Sequence, residues 1–212
     1  MKLPALCCVA ASLLGLSCAH LDAQTLNFDD LGSGLVASGY AGLNWDNVYS
    51  LNTLNFGPSG YVNGTVSPNT VIYNGWGDTA TFSSATAFNL ISLDLTAAWE
   101  EGLQVAIVGY DNNANQLYQA YLTLSSAGPT FLTTNFTGVY SVSIFTSTDG
   151  AWVNDPSFAG SGAEVAIDNL TISGLTVSPA PAPVPEPGTY GVAASLGFLG
   201  LLLTRRRRAS VH

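Results

Sequence analysis

The sequence predicts an all-β fold for most of the chain, because several observations agree. Apolar and polar residues alternate with a period of two in short segments, which is the pattern of half-buried strands. Turn-forming residues such as Asp, Asn, Gly and Pro separate these segments. Residues 24–178 carry no sustained helical period. Short strands at this spacing are typical of an antiparallel β-sandwich, and we expect one of the jelly-roll type.

The predicted strands differ in strength along the chain. Alternation is clearest from residue 91 onward, whereas the region before it is rich in Gly, Asn and Tyr and is expected to form long, ordered loops. Asp111-Asn112-Asn113 and Asp149-Gly150 supply turns between the later strands. In chain order, strands are predicted at residues 25–28, 71–73, 79–82, 91–97, 103–107, 140–144 and 165–172.

The N-terminal end has the features of a secretory signal peptide. Lys2 gives a short positive region, residues 3–18 are mainly apolar, and small residues offer cleavage sites after Ala19 and Ala23. We expect cleavage after Ala23, because the first predicted strand begins directly beyond it. The signal peptide then covers residues 1–23, the folded domain covers residues 24–178, and the general secretion machinery is the first partner.

The C-terminal end combines a proline-rich spacer, a short apolar span and a basic stop. The spacer, residues 179–187, ends on Pro185-Glu186-Pro187. A transmembrane helix through residues 188–204 rises about 1.5 Å per residue, so it just crosses a thin hydrocarbon core. The basic tail, residues 205–212, begins with Arg205-Arg206-Arg207-Arg208, which resist translocation and keep this end in the cytoplasm.

This order of motif, span and basic stop resembles the PEP-CTERM sorting signal of Gram-negative bacteria. The resemblance implies that the protein is exported and held in the membrane by the C-terminal helix. It also implies that an exosortase recognises the Pro-Glu-Pro site and removes the anchor. A plain membrane anchor with an incidental proline linker is the alternative. The tail indicates a destination at the cell surface or outside the cell, and it does not reveal what the domain does.

Between the two signals the chain is a polyanion without basic side chains. All five Lys and Arg residues, both His residues and all three Cys residues lie outside residues 24–187. Of the fourteen acidic residues only Asp22 lies outside, so the segment carries thirteen carboxylates.

This composition excludes several classes of function. Ser-His-Asp and Cys-His catalysis, Schiff-base chemistry and histidine-bound zinc each need a side chain that the segment lacks. Nucleic acid would be repelled, because no Lys or Arg is present to clamp a phosphate. Carboxylates, hydroxyls, amides and aromatic rings remain. These groups suit Ca²⁺, neutral sugars or a glycosidase that works with two carboxylates.

A candidate calcium site combines residues from the two ends of the predicted domain. In jelly-roll domains the first and last strands usually lie side by side, which would bring Asp29 and Asp30 near Asp168 and Asn169. Carboxylate and carbonyl oxygens are the ligands that Ca²⁺ prefers, and the ion would be structural. The alternative is that Asp29 and Asp30 cap a turn and that Asp168 is a solvated strand residue.

Aromatic residues in the first half of the domain form a candidate glycan site. The group consists of Tyr40, Trp45, Tyr49, Tyr61, Tyr73 and Trp76. Flat rings stack on sugar rings while nearby Asn and Asp side chains bind hydroxyls, and we select Tyr40, Trp45, Tyr61 and Trp76 as contacts. For any single ring, packing in the core is the alternative. Trp76 is expected to be exposed, because its flanking glycines leave the indole few neighbours.

Carboxylates raise the alternative of a glycoside hydrolase. Glu100, Glu101 and Glu164 are candidates for its acid and nucleophile. Their carboxyls would have to lie about 5–5.5 Å apart for a retaining enzyme or about 6.5–9.5 Å apart for an inverting one. No glycosidase motif flanks any pair, and solvated carboxylates at strand ends explain these residues better. No catalytic residue is therefore predicted.

Short segments of the domain also resemble secreted β-sandwich domains of PEP-CTERM proteins and galactose-binding-like carbohydrate modules. The segments are Phe28-Asp29-Asp30-Leu31, Gly39-Tyr40-Ala41-Gly42-Leu43-Asn44-Trp45, Gly60-Tyr61-Val62 and Val165-Ala166-Ile167-Asp168-Asn169-Leu170. The resemblance implies a jelly roll with a tendency to bind carbohydrate, and it brings no established activity. We therefore expect a non-catalytic exported protein that associates with exopolysaccharide. The alternatives are an extracellular glycoside hydrolase and a purely structural coat protein.

Overall fold

The computed structural model describes residues 22–147, 153–154 and 156–175. Within these ranges the only α-helix is α1 (Gly60–Asn63), and two short 3-10 turns lie at Tyr40–Gly42 and Gly75–Gly77. The rest consists of β-strands and their connections, and all the pairings are antiparallel. The predicted all-β antiparallel class is confirmed.

The strands vary from two to eighteen residues in length. In chain order they are β1 (Gln24–Leu26), β2 (Gly34–Leu35), β3 (Asn44–Asp46), β4 (Val48–Asn52), β5 (Thr70–Asn74), β6 (Ala80–Ala97), β7 (Glu100–Glu101), β8 (Leu103–Tyr110), β9 (Gln116–Leu124), β10 (Thr130–Ser147), β11 (Val153–Asn154) and β12 (Val165–Ser173).

Ten strands form one sheet in which chain neighbours are not always spatial neighbours. Its order is β2-β4-β5-β12-β6-β10-β8-β9, while β1 pairs with β12 and β3 pairs with β6. The first and last strands of the described domain therefore lie side by side, with Leu26 opposite Leu170. A separate pair is formed by β7 and β11.

The two long strands β6 and β10 connect two parts of this sheet. Residues 80–83 of β6 face residues 141–144 of β10, whereas residues 88–95 of β6 face residues 130–139 of β10. The register shifts between these parts and also within the second part, where Asn135 adopts a left-handed conformation with φ 51°. Such bulges bend a strand and increase its twist. The first part of β6 also pairs with β3 and the second part with β12.

One hydrophobic cluster receives side chains from both parts of the sheet. Phe82 and Ile107 come from the first part, and Leu95 and Leu170 from the second; the last three are fully buried or nearly so. Burying a side chain of this size stabilises a fold by about 1.5–3 kcal/mol. The inward apolar residues of the alternating pattern are therefore buried, because those of both parts meet in the same core.

Most of the predicted strands are present, and two regions differ from expectation. The region before residue 91 is more regular than expected, since it contains β2, β3, β4 and β5 as well as α1. Strand β9 was not predicted. Its outward face carries the exposed residues Leu117 and Tyr121, so apolar residues on both faces hide its period of two.

Several predictions concern residues outside the described ranges. The signal peptide up to residue 21, the spacer, the helix at residues 188–204 and the basic tail all belong to them. Within the ranges that are described, no helix is long and apolar enough to span a membrane. The predicted domain boundaries stay predictions.

Candidate functional site: an aromatic cleft

A cleft of about 310 Å³ opens between β4, β5, α1 and the segment that follows β6. Most of its walls are aromatic, and a single carboxylate side chain lines it. The lining residues are Tyr49, Leu51, Phe56, Tyr61, Tyr73, Gly75, Trp76, Trp99 and Glu164. A concave, mainly apolar surface with one placed polar group is the usual form of a small-molecule site.

One wall of the cleft follows from the pairing of β4 with β5. Tyr49 lies opposite Tyr73 in this ladder, so both side chains stand on the same face of the sheet. Their ring centroids are 5.7 Å apart. The indole of Trp76 meets the ring of Tyr49 edge-on at a centroid distance of 5.3 Å.

The opposite wall is built around Tyr61, which is buried in α1. Its ring meets Tyr73 at 5.1 Å, Trp99 at 5.4 Å and Phe56 at 5.7 Å, in each case edge to face. Trp99 in turn packs against Gly160, where a Cβ atom would lie 2.5 Å from the indole. Contacts of this kind hold aromatic rings in fixed orientations.

Trp76 is an exposed ring on a fixed turn. Its side chain is 75% exposed, as its flanking glycines predict. Its backbone is left-handed, with φ 56°, which is unfavourable for a large side chain. Hydrogen bonds over-determine this conformation: Asn47 Nδ2 donates to the Gly75 carbonyl at 3.1 Å, and Thr146 Oγ1 donates to the Gly77 carbonyl at 2.7 Å. Backbone strain held in this way is typical of ligand-contacting positions.

A second depression continues the aromatic cleft on the far side of Trp99. It also measures about 310 Å³ and is lined by Phe56, Gly57, Pro58, Trp99, Ser157, Ala159 and Gly160. Phe56 and Trp99 line both depressions, so the two form adjoining parts of one surface. Together the two adjoining depressions can accommodate more than one ring of a chain-like ligand.

Two buried glutamates, Glu100 and Glu164, are close enough to repel each other, and of the two only Glu164 lines the aromatic cleft. Glu100 is 1% exposed and accepts a hydrogen bond from the Gly162 amide. The backbone of Gly162, with φ +138°, also lies against the Glu164 carboxylate, and any side chain there would collide with it. One oxygen of each carboxyl is buried and has no hydrogen-bond partner among the residues described.

Burial governs the protonation of both groups. It raises the pKa of Glu164 above its ordinary value. It also raises the pKa of Glu100, and repulsion from Glu164 adds to this effect. The physical cause is that the charged form loses the water that stabilises it. Residues 24–187 contain no basic side chain that could stabilise the charge instead.

The predicted glycan contacts separate into two groups. Tyr61 and Trp76 line the cleft, together with Tyr49 and Tyr73 of the predicted aromatic group. Tyr40 and Trp45 belong to another cluster, in which Trp45 is 8% exposed and its Nε1 donates to the Tyr40 carbonyl at 3.0 Å. The interpretation of core packing therefore holds for Trp45.

The predicted calcium ligands also have protein partners. The carboxylate of Asp168 is fully buried and accepts hydrogen bonds from the Val66 amide, the Ser67 amide and hydroxyl, and the Asn169 amide. Asn169 has φ 48°, so a bulge turns this part of β12 away from regular pairing. Asp168 thus ties β12 to the loop before β5.

The other two predicted ligands lie beyond β1. Asp30 accepts a hydrogen bond from the Tyr40 hydroxyl at 2.7 Å, and Asp29 Oδ1 is buried without a hydrogen-bond partner in the described ranges. Those ranges contain no group of three or more His, Cys, Asp or Glu residues that could hold a metal ion. Calcium binding by Asp29, Asp30, Asp168 and Asn169 stays a prediction.

Comparison with protein families identifies the C-terminal signal. Residues 183–208 match the family described as the PEP-CTERM protein-sorting motif, so the predicted sorting signal is confirmed. This motif implies that the protein is exported, anchored in the membrane before processing, and processed by an exosortase. Comparison with curated proteins gives no match.

Comparison with solved structures gives distant similarities in shape. A DUF4465 family protein from Bacteroides caccae has a TM-score of 0.49 at 12% identity, over 77% of this chain and 97% of that chain. A DUF4465 family protein from Bacteroides ovatus has a TM-score of 0.45 at 11% identity, over 72% of this chain and 89% of that chain. A fucose-binding module from Streptococcus pneumoniae has a TM-score of 0.31 at 12% identity, over 47% of this chain and 69% of that chain.

Proposed function

We propose that this protein is a non-catalytic component of the cell surface or extracellular matrix, and that its aromatic cleft binds exopolysaccharide. The observation that carries the proposal is the exposed indole of Trp76, fixed in an unfavourable backbone conformation beside Tyr49 and Tyr73. Sugar rings present apolar faces that stack on such rings, and their hydroxyls take hydrogen bonds from nearby polar groups.

The form of the cleft favours a polymer over a single sugar. Phe56 and Trp99 stand between two adjoining depressions, so successive sugar rings of one chain can contact both sides. The thirteen carboxylates of residues 24–187 disfavour strongly acidic polysaccharides, because like charges repel. An exported protein with a sorting signal meets exopolysaccharides outside the membrane.

The same proposal includes the jelly-roll sandwich. Two parts of the sheet share the long strands β6 and β10, and residues from both parts enter one core. We infer that the bulges fold the sheet over itself, so that the two parts form the layers of the sandwich. The cleft then lies on the part that contains β4, β5 and β12.

Replacing Trp76 with alanine is expected to weaken binding to a responsive polysaccharide about tenfold or more, because the stacking surface is lost. Tyr121 provides a matched control, since it is 74% exposed against 75% for Trp76 and lies on β9, outside the cleft. The measurement is affinity electrophoresis or calorimetry of the purified variants after a glycan screen. Equal losses for Trp76→Ala and Tyr121→Ala would contradict a site in the cleft.

A second candidate function is hydrolysis of the bound glycan. It is favoured by one observation, the pair of buried carboxyls Glu100 and Glu164, in which Glu164 lines the cleft and burial raises the pKa of both groups. A raised pKa suits a general acid. Release of reducing ends during the same binding assay would support this candidate, whereas binding without release supports the non-catalytic function. A purely structural coat protein would bind no glycan at all.

A further inference from the structure

The carboxylate of Glu164 is unusual in its surroundings. It lines a cleft whose other walls carry six aromatic rings. One of its oxygens packs against Gly162 and is buried with no hydrogen-bond partner in the described part of the chain, while the carboxyl also accepts a hydrogen bond from its own backbone amide. A buried carboxylate is costly unless a positive group or hydrogen-bond donors compensate for the lost water. Residues 24–187 contain no Lys, Arg or His side chain that could do so.

The carboxylate is also crowded by groups that disfavour its charge. Glu100 on β7 repels its charge, and Glu100 is itself 1% exposed and has a buried oxygen without a hydrogen-bond partner in the described ranges. The phenol rings of Tyr61 on α1 and Tyr73 on β5 face it from the other elements packed here. Every titratable neighbour of Glu164 on these three elements is therefore acidic or neutral, so an ammonium group of a ligand would supply the positive charge that these elements lack.

Aromatic rings around a carboxylate form a recognised arrangement for organic cations. The faces of Trp and Tyr rings carry negative potential and attract ammonium groups within about 6 Å of the ring centre. Trp76, Tyr49 and Tyr73 form a continuous series of rings along one wall, with centroid distances of 5.3 and 5.7 Å. A neutral sugar can stack on the rings and donate a hydroxyl to the carboxylate, whereas an ammonium group also neutralises its charge.

We propose that the cleft binds a polysaccharide whose sugars carry free, protonated amines, and that Glu164 selects the amine. This inference rests on the proposed glycan binding and names its substrate class. The protonated amine donates to the Glu164 carboxylate while the sugar ring stacks on Trp76. Acetylation of the amine removes the charge and with it the interaction that Glu164 provides.

The test compares two probes of equal length on the purified protein, an oligomer of glucosamine and the same oligomer of N-acetylglucosamine. Calorimetry near pH 6.5 is expected to give about tenfold tighter binding of the glucosamine oligomer, corresponding to one charge-assisted contact. Glu164→Gln is expected to abolish this preference. Asp46→Asn removes the same charge at an exposed position on β3, outside the cleft, and is expected to keep the preference.

The outcomes separate the inference from the proposed function. Equal binding of both oligomers by the unaltered protein would overturn the selection of an amine and leave glycan binding intact. Binding of neither oligomer, nor of any other glycan in a screen, would overturn both. Preservation of the preference in folded Glu164→Gln would overturn the role of Glu164. The comparison of oligomers on the unaltered protein needs no variant, so it tests the selection of an amine even if Glu164→Gln does not fold.

Discussion

Replacing Asp168 with alanine is expected to destabilise the domain by about 3 kcal/mol, which is at the upper end of single-residue effects. The carboxylate is fully buried and accepts hydrogen bonds of 2.8 Å from the amides of Val66 and Ser67. It also accepts from the Ser67 hydroxyl and the Asn169 amide. Removing it leaves several partly buried donors without this acceptor and detaches the loop before β5 from β12.

Asp111 offers a matched control for this prediction. Its carboxylate likewise accepts hydrogen bonds from the Asn113 amide and from the amide and side chain of Asn115, but it does so in an exposed turn. Water can replace these bonds, so Asp111→Ala is expected to cost clearly less. Urea unfolding of both variants, followed by circular dichroism, measures the difference. Equal midpoints for the two variants would show that the Asp168 network is not a major source of stability.

Replacing Pro185-Glu186-Pro187 with three alanines is expected to block removal of the C-terminal segment almost completely. The motif at residues 183–208 implies processing by an exosortase, and the Pro-Glu-Pro sequence is the part that such an enzyme is expected to recognise. The unprocessed chain should accumulate in the membrane fraction. Its apparent mass on a gel, in a host that carries the exosortase, is the measurement.

Alanine substitutions at Pro179 and Pro181 serve as the control, because they lie in the same spacer but outside the matched residues. These substitutions are expected to leave processing unchanged. If the triple-alanine variant is processed and localised like the unaltered protein, recognition of the Pro-Glu-Pro site is excluded.

The strands that the sequence predicts well carry apolar residues at every second position. Residues 103–107 and 140–144 alternate cleanly because polar or small residues stand between their apolar ones, and both lie in strands of the structure. Strand β9 escapes this rule, since Leu117 and Tyr121 are apolar yet exposed. The bulges in β10 could not be predicted either, because they depend on how two long strands pair across a bend.

The site was predictable in part, for physical reasons that concern single residues. Glycines on both sides of Trp76 expose its ring, and this local feature is visible in the sequence. The grouping of Tyr49, Tyr61, Tyr73 and Trp99 depends on the register of β4 with β5 and on the position of α1. The repulsion between Glu100 and Glu164 couples residues 64 positions apart in the chain. No local pattern encodes such contacts.

Hydroxyl-radical footprinting with and without a bound polysaccharide tests the central claim most directly. If the cleft is the glycan-binding surface, the ligand should protect the exposed ring of Trp76 from oxidation and leave the equally exposed ring of Tyr121 unprotected. Protection of Tyr121 on β9, with Trp76 oxidised as before, would place the ligand on another surface and contradict the account.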